Sequence, residues 1–335
     1  MNENLLVVST SPHLLGRLTL RSMHLEIMLA MTPAFLVGLY YFGLPALSTV
    51  VLAVAGALAS DYLIGLLTKK PARLEDLHTA LMGFMMGMIL APGAPWWLCL
   101  LSGALAVTLG KLIFGGLGSY PLNPVLVAWA AMSLSWSAGM NHFLEPLALG
   151  AAGKWTQAQT PLMQLKGDIA TLAGVYEMKN LWLGAVPAAV GAGSSVALLA
   201  GGIYLIIRRL IPWQIPLGVL LGAVGMVLLA TYTDRRVVEM GLDSFGARLD
   251  VAWFHLATGG LMISAFFLGP EPVTSPVTPW GTFLFGLGIG IMTIIVRSWG
   301  SWVDGAYYGV MLMNLATPLL DRIRPRVLGK VVTGA

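Results

Sequence analysis

Long apolar segments recur along this chain and leave only short polar stretches between them. A helix needs about 20 apolar residues to cross the hydrocarbon core of a bilayer, and these segments are of that order. Of all residues, 57% are hydrophobic and 10% are charged, whereas a soluble domain carries roughly 25% charged residues. The sequence therefore predicts an all-α, polytopic membrane protein and excludes a soluble enzyme.

We predict about ten transmembrane helices. They lie near residues 25–44, 46–67, 78–93, 96–114, 124–138, 183–207, 213–231, 252–268, 280–296 and 302–320. Basic residues are more frequent in the segments that this topology places in the cytoplasm, so we expect both termini to be cytoplasmic. The longest piece between spans, at residues 139–182, would then lie on the outer side of the membrane.

The two sets of five spans resemble each other. HTALMGFMMGMILAPG at 78–93 is matched by HLATGGLMISAFFLGPEP at 255–272, and GGLGSYPLNP at 115–124 is matched by RSWGSWVDGA at 297–306. Five spans per repeat give two inverted five-helix repeats, the plan of many transporters. Similar glycine-rich composition is the alternative explanation. The prediction divides the chain into a first half at 1–138, a loop at 139–182 and a second half at 183–335.

Two segments on the predicted cytoplasmic side break the helical pattern. These are GGLGSYPLNP and the proline-rich GPEPVTSPVTP at 269–279, because glycine and proline do not continue a helix there. Inverted-repeat folds build sites where such breaks meet. We therefore predict a noncovalent site for a ligand or a coupling ion, lined by Asn123, Glu271, Thr274 and Ser275. Two ordinary capped loops remain the alternative.

Ionisable and metal-binding side chains are sparse. Asp61 lies inside a predicted span, where a carboxylate is costly and usually faces a cavity or a partner. It pairs with Lys111, or is hydrated near the interface, or belongs to an ion path. Cys99 is the single cysteine and no histidine pair has i, i+4 spacing, so we expect no metal site. A net charge of +4 without a basic cluster argues against nucleic acid, and no catalytic set of side chains is apparent.

Three stretches carry a resemblance to a known family. They are TSPH at 10–13, HLATGGLMISAFFLGPEPVTSPVTPWG at 255–281 and YYGVMLMNLATPLLDRIRPRVLG at 307–329. Together they closely resemble the D subunit of the bacterial Rnf electron-transport complex, which is related to the B subunit of the Na⁺-translocating NADH:quinone oxidoreductase. The resemblance implies a membrane flavoprotein within an ion-translocating ferredoxin:NAD⁺ oxidoreductase, with the A, B, C, E and G subunits as partners.

The resemblance also implies a covalent cofactor. In this family a threonine in the outer loop carries FMN through a phosphoester bond that a separate flavin transferase forms. Thr160, in QAQTPLMQLKGD at 157–168, stands where that threonine is expected. The sequence departs from the usual attachment pattern, since no aspartate precedes Thr160 closely and Gln159 replaces the usual alanine. Thr160 is also predicted to cap a helix that begins at Pro161, and both roles are compatible.

Three functions remain as hypotheses: a flavin-bearing redox subunit, an inverted-repeat solute channel or transporter without redox role, and a structural anchor for other subunits. Flavin fluorescence of the band on a denaturing gel separates the first from the others. The chain contains neither a cysteine cluster for iron–sulfur centres nor a nicotinamide-binding fingerprint. We therefore expect no activity from this chain alone.

Overall fold

The computed structural model describes residues 19–69, 74–147, 155–167, 177–233 and 244–323. The predictions for the chain termini and for parts of the loop at 139–182 lie outside these residues. The helices are α1 Leu20–Thr68, α2 His78–Ile89, α3 Trp96–Val107, α4 Pro124–Ser135, α5 Ser137–Met140, α6 Pro161–Gly167, α7 Met178–Leu183, α8 Ser195–Ile207, α9 Gln214–Thr233, α10 Phe245–Ala257, α11 Leu261–Ile263, α12 Pro279–Trp299 and α13 Ala306–Leu320. A 3₁₀ turn, Leu74–Asp76, precedes α2, and π-helical turns extend α3 at Thr108–Leu112 and α11 at Ser264–Leu268.

Helix α1 is a helical hairpin with its break at Gly43. Gly43 has a φ of 58°, which favours glycine because a Cβ atom is strained in that region. His24, near the start of α1, contacts the Asp76 carbonyl oxygen at 2.7 Å, and Asp61, near its end, accepts a hydrogen bond from Thr79. Both ends of α1 therefore meet the start of α2, so its two parts run antiparallel. The break separates the predicted spans 25–44 and 46–67.

The first part of α1 also packs antiparallel against α8. Arg208, which follows α8, pairs with Glu26 at 2.5 Å. Further along, Gly201 faces the Ala30 carbonyl, and the loop residue Val190 faces Gly38. A Cβ atom on Gly201 or Gly38 would collide with the opposing backbone, so these glycines permit the close helix contacts that membrane proteins use.

The remaining contacts define two ends of the molecule. At the first, which we call the Glu271 end, Asn123 at the start of α4 donates to the Leu268 carbonyl at 3.0 Å. Here α13 ends, since its C-cap Asp321 accepts from the Val277 amide at 2.9 Å. At the opposite end, the Thr160 end, α4 finishes and α13 begins: the rings of Trp129 and Tyr307 lie 4.7 Å apart. Helices α4 and α13 therefore run in opposite directions.

Three helices among the described residues are long and apolar enough to cross a membrane, or four if the pair Phe245–Ala257 and Leu261–Leu268, bent by 67°, is one span. The three are Leu20–Thr68, Gln214–Tyr232 and Pro279–Trp299. Large apolar side chains are exposed on these and shorter helices, as at Leu44, Leu67 and Ile207. Such exposure suits a lipid environment. The chain is a multi-pass membrane protein of helical fold.

One predicted span is wrong in its first part. Residues 183–207 were expected to form one helix, but the helix begins only at Ser195, which Ser194 precedes as its cap. The residues from Gly184 to Ser194 form turns and are mostly buried in the protein. Their apolar character therefore reflects packing against protein rather than a lipid-facing helix.

Candidate functional site

Thr160 begins helix α6. Its Oγ1 atom accepts a hydrogen bond from the Met163 amide at 3.3 Å, and Pro161 occupies the first helical position. This confirms the predicted helix cap. Thr160 is partly buried, and a hydroxyl oxygen that accepts one hydrogen bond retains a second lone pair and can still be esterified.

The segment before Thr160 is held against residues 143–147. Gln157 forms an antiparallel bridge with Leu144, and the Ala158 amide donates to the Phe143 carbonyl at 3.0 Å. Within this pairing the exposed Thr156 hydroxyl donates to Glu145 Oε2 at 2.8 Å. Thr156 and Thr160 thus differ in environment, since Thr160 lines a cavity to whose lining Thr156 does not belong.

The cavity beside Thr160, which we call the Thr160 cavity, has a volume of about 290 Å³. Its lining includes the aromatic rings of Trp129, Trp302 and Tyr307 and the backbone of Gly259 and Gly260. Small-molecule sites have volumes from about 300 Å³ upward and are mostly apolar with a few polar groups. An aromatic cavity with a hydroxyl at its side fits a planar ring tethered to that hydroxyl.

An ion pair fixes one wall of the Thr160 cavity. Arg297, which is buried, donates to the carbonyls of His255 at 2.7 Å and Thr258 at 2.9 Å, and to Asp304 Oδ1 at 3.0 Å. Asp304 in turn accepts from the Gly260 amide at 2.5 Å. The guanidinium therefore satisfies the carbonyls that the break between α10 and α11 leaves without helical partners. Sequence analysis assigned no role to Arg297 and did not predict this pair.

Helix α6 rests on the same break. Gly259 has a φ of 68°, and a Cβ atom there would meet Leu162 of α6 as well as Arg297 and Asp304. Leu162 is buried with Leu181, Val186, Phe254 and Ala257 in a small apolar cluster. The position of Thr160 over its cavity is thus tied to the backbone that Arg297 and Asp304 hold.

The two predicted helix breaks meet at the Glu271 end. Tyr120, from GGLGSYPLNP, donates to Glu271 Oε1 at 2.5 Å, and Asn123 bonds to Leu268 next to the proline-rich segment. Asn123 also caps α4 through its Oδ1 atom, which accepts from the Val125 amide at 3.0 Å. Both Asn123 and Glu271 line a cavity of about 150 Å³, which we call the Glu271 cavity.

Thr274 and Ser275 have other roles than lining this cavity. The buried Thr274 hydroxyl donates to Glu271 Oε2 at 3.4 Å, and its carbonyl accepts from Thr317 at 2.9 Å. Ser275 contributes its amide to the Glu271 carbonyl at 3.0 Å. Neither residue is part of the cavity lining. Of the four predicted residues, the structure brings Asn123 and Glu271 to the cavity and leaves Thr274 as a support of Glu271.

Asp61 is paired with Lys111, which was one of the three interpretations open to it. Lys111 Nζ lies 3.1 Å from Asp61 Oδ2 and 2.8 Å from the Thr79 hydroxyl, which also donates to Asp61. All three residues are buried. Lys111 lies in the π-helical turn that extends α3, where it is buried. Whether Asp61 belongs to an ion path stays a prediction.

Two histidines that sequence analysis left without a role line the Glu271 cavity. The rings of His24 and His78 lie 5.0 Å apart, and His78 Nε2 is 3.2 Å from the Tyr120 hydroxyl. His78 was noted as the start of a repeat, but its partners are far away in sequence. Among the described residues, no group of three or more His, Cys, Asp or Glu side chains could hold a metal ion.

Glu271 lies between helices, outside the apolar spans, and its carboxyl has a raised pKa. Burial raises the pKa of this carboxyl from 4.5 to about 7, although the hydrogen bonds from Tyr120 and Thr274 lower it. A carboxyl with a pKa near neutrality can gain and lose a proton under physiological conditions.

Comparison with known proteins identifies relatives of nearly the same length. The D subunit of the ion-translocating oxidoreductase complex of Stutzerimonas stutzeri is 32% identical over 340 residues, with 92% of each chain covered. The D subunit of the Na(+)-translocating ferredoxin:NAD(+) oxidoreductase complex of Acetobacterium woodii is 33% identical over 331 residues, with 98% of this chain and 97% of the relative covered. The proton-translocating counterpart of Clostridium ljungdahlii is 30% identical over 330 residues, with 96% and 95% covered.

The pattern of one protein family matches almost the whole chain, from residue 7 to residue 329. This range includes both cavities and the Arg297–Asp304 pair. It also includes the five residues predicted to bind a cofactor or an ion, which are Asn123, Thr160, Glu271, Thr274 and Ser275. It agrees with relatives that align from end to end. The chain belongs to the NQR2, RnfD, RnfE family.

Proposed function

We propose that this chain is the D-type membrane component of an Rnf complex that couples electron transfer between ferredoxin and NAD⁺ to translocation of Na⁺ or H⁺. The observation that carries the proposal is the end-to-end similarity to proteins named for that activity. The partners are the A, B, C, E and G subunits. Relatives named for Na⁺ and for protons are similarly distant, at 33% and 30% identity, so the identity of the ion does not follow from them.

The chain carries FMN on Thr160 through a phosphoester. Thr160 supplies the Oγ1 oxygen, and a flavin transferase attaches the cofactor. The bound flavin would accept and pass electrons. Support comes from the place of the hydroxyl at an aromatic cavity of about 290 Å³. The Arg297–Asp304 pair and the contact of Leu162 with Gly259 hold α6, and hence Thr160, against this cavity.

The chain forms two inverted five-helix repeats in the inner membrane, with both termini cytoplasmic and the Thr160 loop periplasmic. Support comes from helix directions: α8 runs opposite to the first part of α1, and α13 runs opposite to α4. The break at Gly43 also divides α1 into two parts, each long enough to cross a bilayer. A fold of this kind presents its two ends to opposite sides of the membrane.

A second, noncovalent site lies at the Glu271 cavity. Flavin and coupling ion are the two candidate occupants. The volume of about 150 Å³ is half that of the Thr160 cavity and below the roughly 300 Å³ at which small-molecule sites begin. The lining is mostly apolar, with Asn123 and Glu271 among its few polar residues, so it offers an ion few ligands.

Replacement of Thr160 tests the covalent flavin. In the complex from a host that supplies the transferase, Thr160→Ala should lose all flavin fluorescence of this chain on a denaturing gel. The matched control is Thr156→Ala, since Thr156 bonds to Glu145 outside the cavity and its loss should leave the fluorescence unchanged. Persistent fluorescence of the Thr160→Ala band contradicts the assignment.

Separation of the chain from its partners tests the role in a complex. The purified chain should oxidise neither ferredoxin nor NADH, while the complex containing it should couple that reaction to ion uptake in vesicles. Turnover by the chain alone, or coupled activity of a complex lacking it, would contradict the proposal.

A further inference from the structure

A long apolar strip of the protein surface follows the contact between α8 and the first part of α1, and we call it the α1–α8 seam. The two helices touch where Arg208 meets Glu26 and where Gly201 meets Ala30. Exposed aliphatic side chains flank this contact on both helices, namely Leu25, Leu29, Val196, Ile203 and Ile207. Helix α8 has 13 residues and rises about 20 Å, whereas one hydrocarbon leaflet is about 15 Å thick. The seam is therefore long enough for one acyl chain.

Two consecutive arginines end the α1–α8 seam on the side of the Glu271 end. Arg208 donates through Nε and Nη2 to the two carboxylate oxygens of Glu26, at 2.9 and 2.5 Å, yet 49% of its side chain stays exposed. Arg209 is exposed and forms no ion pair within the part of the chain that the structure describes. One carboxylate therefore faces two guanidinium groups, which leaves one positive charge unbalanced at the end of the seam.

Arg209 has a backbone conformation that favours glycine. Its φ is 58°, in the left-handed region, and the next amide, of Leu210, donates to the Leu205 carbonyl at 3.0 Å. A helix that ends in this way most often has glycine at the left-handed position, because a Cβ atom there is unfavourable. Backbone strain of this kind is found where a side chain has a function. An exposed arginine at this position therefore points to a role for its charge.

The chemistry along the α1–α8 seam changes in the same order as that of a phospholipid. Guanidinium groups at its end bind phosphate oxygens through paired, charge-assisted hydrogen bonds. Tyr204, one turn before Arg208 on α8, is 39% exposed, and tyrosine is enriched at the depth where acyl chains meet head groups. Beyond it the exposed side chains of α8 are aliphatic, as at Ile203 and Val196. A charged end, an aromatic level and an apolar length thus follow one another.

We propose that the α1–α8 seam binds one anionic phospholipid. Its phosphate contacts Arg209 and the exposed edge of Arg208, and one acyl chain lies along Ile207 and Ile203. Glu26 holds Arg208 in place and does not itself bind the lipid. A lipid of net negative charge balances the excess positive charge, whereas the phosphate of a zwitterionic lipid is already balanced by its own ammonium group. The site requires neither electron transfer nor a flavin, so it is independent of the proposed function.

The experiment measures lipid binding to the full chain, delipidated in a neutral detergent, by native mass spectrometry. The wild type should bind phosphatidylglycerol more tightly than phosphatidylcholine. Arg209→Gln should weaken phosphatidylglycerol binding about fivefold, the fold-change that corresponds to roughly 1 kcal/mol per basic residue at an anionic surface, and should leave phosphatidylcholine binding unchanged. The matched control is Arg322→Gln, which removes an exposed arginine that follows α13. This variant should bind both lipids as the wild type does.

Two further variants of Arg209 separate its charge from its backbone conformation. Arg209→Lys keeps the charge and should retain most of the affinity for phosphatidylglycerol. Arg209→Gly removes the charge but suits the φ of 58°. It should therefore raise the thermal unfolding midpoint in lipid-free detergent while it weakens phosphatidylglycerol binding as much as Arg209→Gln does. If Arg209→Gln does not fold, the comparison of Arg209→Gly with Arg209→Lys decides.

Photocrosslinking in the assembled complex identifies what covers the α1–α8 seam in the membrane. The photoreactive residue p-benzoylphenylalanine at position 207 should give a product that is heavier by the mass of a phospholipid. A crosslink to another subunit instead would contradict the proposal. So would equal affinity of the wild type for the two lipids, unchanged binding by Arg209→Gln, or an equal loss in Arg322→Gln. Displacement of bound phosphatidylglycerol by inorganic phosphate would also contradict it, since the acyl chain would then contribute nothing.

Discussion

The two cavities lie at opposite ends of the same helices and are built from different kinds of polar contact. The wall of the Thr160 cavity is held by a fixed ion pair, Arg297 with Asp304, that binds backbone groups. The Glu271 cavity is bordered by hydrogen-bonded side chains, Glu271, Tyr120 and His78, without an ion pair among these three. At one end a charged pair holds backbone groups in place, and at the other side chains from distant segments bind one another.

The largest effect is expected from the ion pair at the Thr160 end. Arg297→Leu removes the donor to two carbonyls and to Asp304, whose side chain is 20% exposed, so the loss should lie near the lower end of the roughly 3–5 kcal/mol typical of a broken buried pair. The thermal unfolding midpoint of the solubilised complex should fall accordingly. Arg208→Leu, which removes the exposed pair with Glu26, is the control and should leave the midpoint unchanged. If both variants lower the unfolding midpoint equally, the Arg297–Asp304 pair is no more important for stability than the exposed pair.

Breaking the buried Asp61–Lys111 pair near the Glu271 end should also destabilise the protein, and removing both charges should restore most of the lost stability. Asp61→Asn leaves the Lys111 ammonium buried without a carboxylate, which should destabilise by about 3 kcal/mol. The double variant Asp61→Asn/Lys111→Met removes the unpaired charge and should regain most of that loss. Unfolding midpoints of both variants test this, and additive losses would contradict it.

Stability should depend on pH through Glu271. Its folded pKa of about 7 lies above the ordinary 4.5, so between these values the folded protein holds the proton more firmly than the unfolded chain. Protonated Glu271 therefore adds up to about 3 kcal/mol to the free energy of unfolding. This contribution is fully present below pH 4.5 and is lost as pH rises through 7. Glu271→Gln should flatten this slope in unfolding measurements, and an unchanged slope would exclude Glu271 as its source.

The smallest effect separates two neighbouring hydroxyls. Thr274→Val removes the bond to Glu271 Oε2 from a buried position and should destabilise by about 1 kcal/mol. Ser275→Ala keeps the amide that bonds to Glu271 and should change stability by less than about 0.5 kcal/mol. If Ser275→Ala has the larger effect, the residues supporting Glu271 are wrongly assigned.

Helix caps, which depend on neighbouring residues, and two contacts between distant segments could be predicted from the sequence. The caps at Asn123-Pro124 and Thr160-Pro161 follow from side chains and proline within one turn, and both occur in the structure. The pairing of Asp61 with Lys111 was one of the expected alternatives, because few charges occur in apolar segments to compete for it. The meeting of the two breaks followed from the suspected repeat.

Other features that depend on distant residues could not be predicted. The residues from Gly184 to Ser194 are apolar because they are buried against protein, and hydropathy does not distinguish this from a helix in lipid. His78 and Glu271 are linked through Tyr120 across more than half of the chain. Arg297 resembled an ordinary loop charge, since its carbonyl partners become available only when the helix breaks after Ala257.

The Arg297 contacts have a consequence for biosynthesis. Arg297 lies in the last turn of α12, where the guanidinium of a lone helix would reach toward the membrane interface instead of binding carbonyls inside the protein. In the finished protein its partners come from the break before α12 and from Asp304 just after it. Helix α12 therefore becomes fully stable in lipid only with the segments on both sides of it. The translocon would release α10 to α13 as a group rather than one helix at a time.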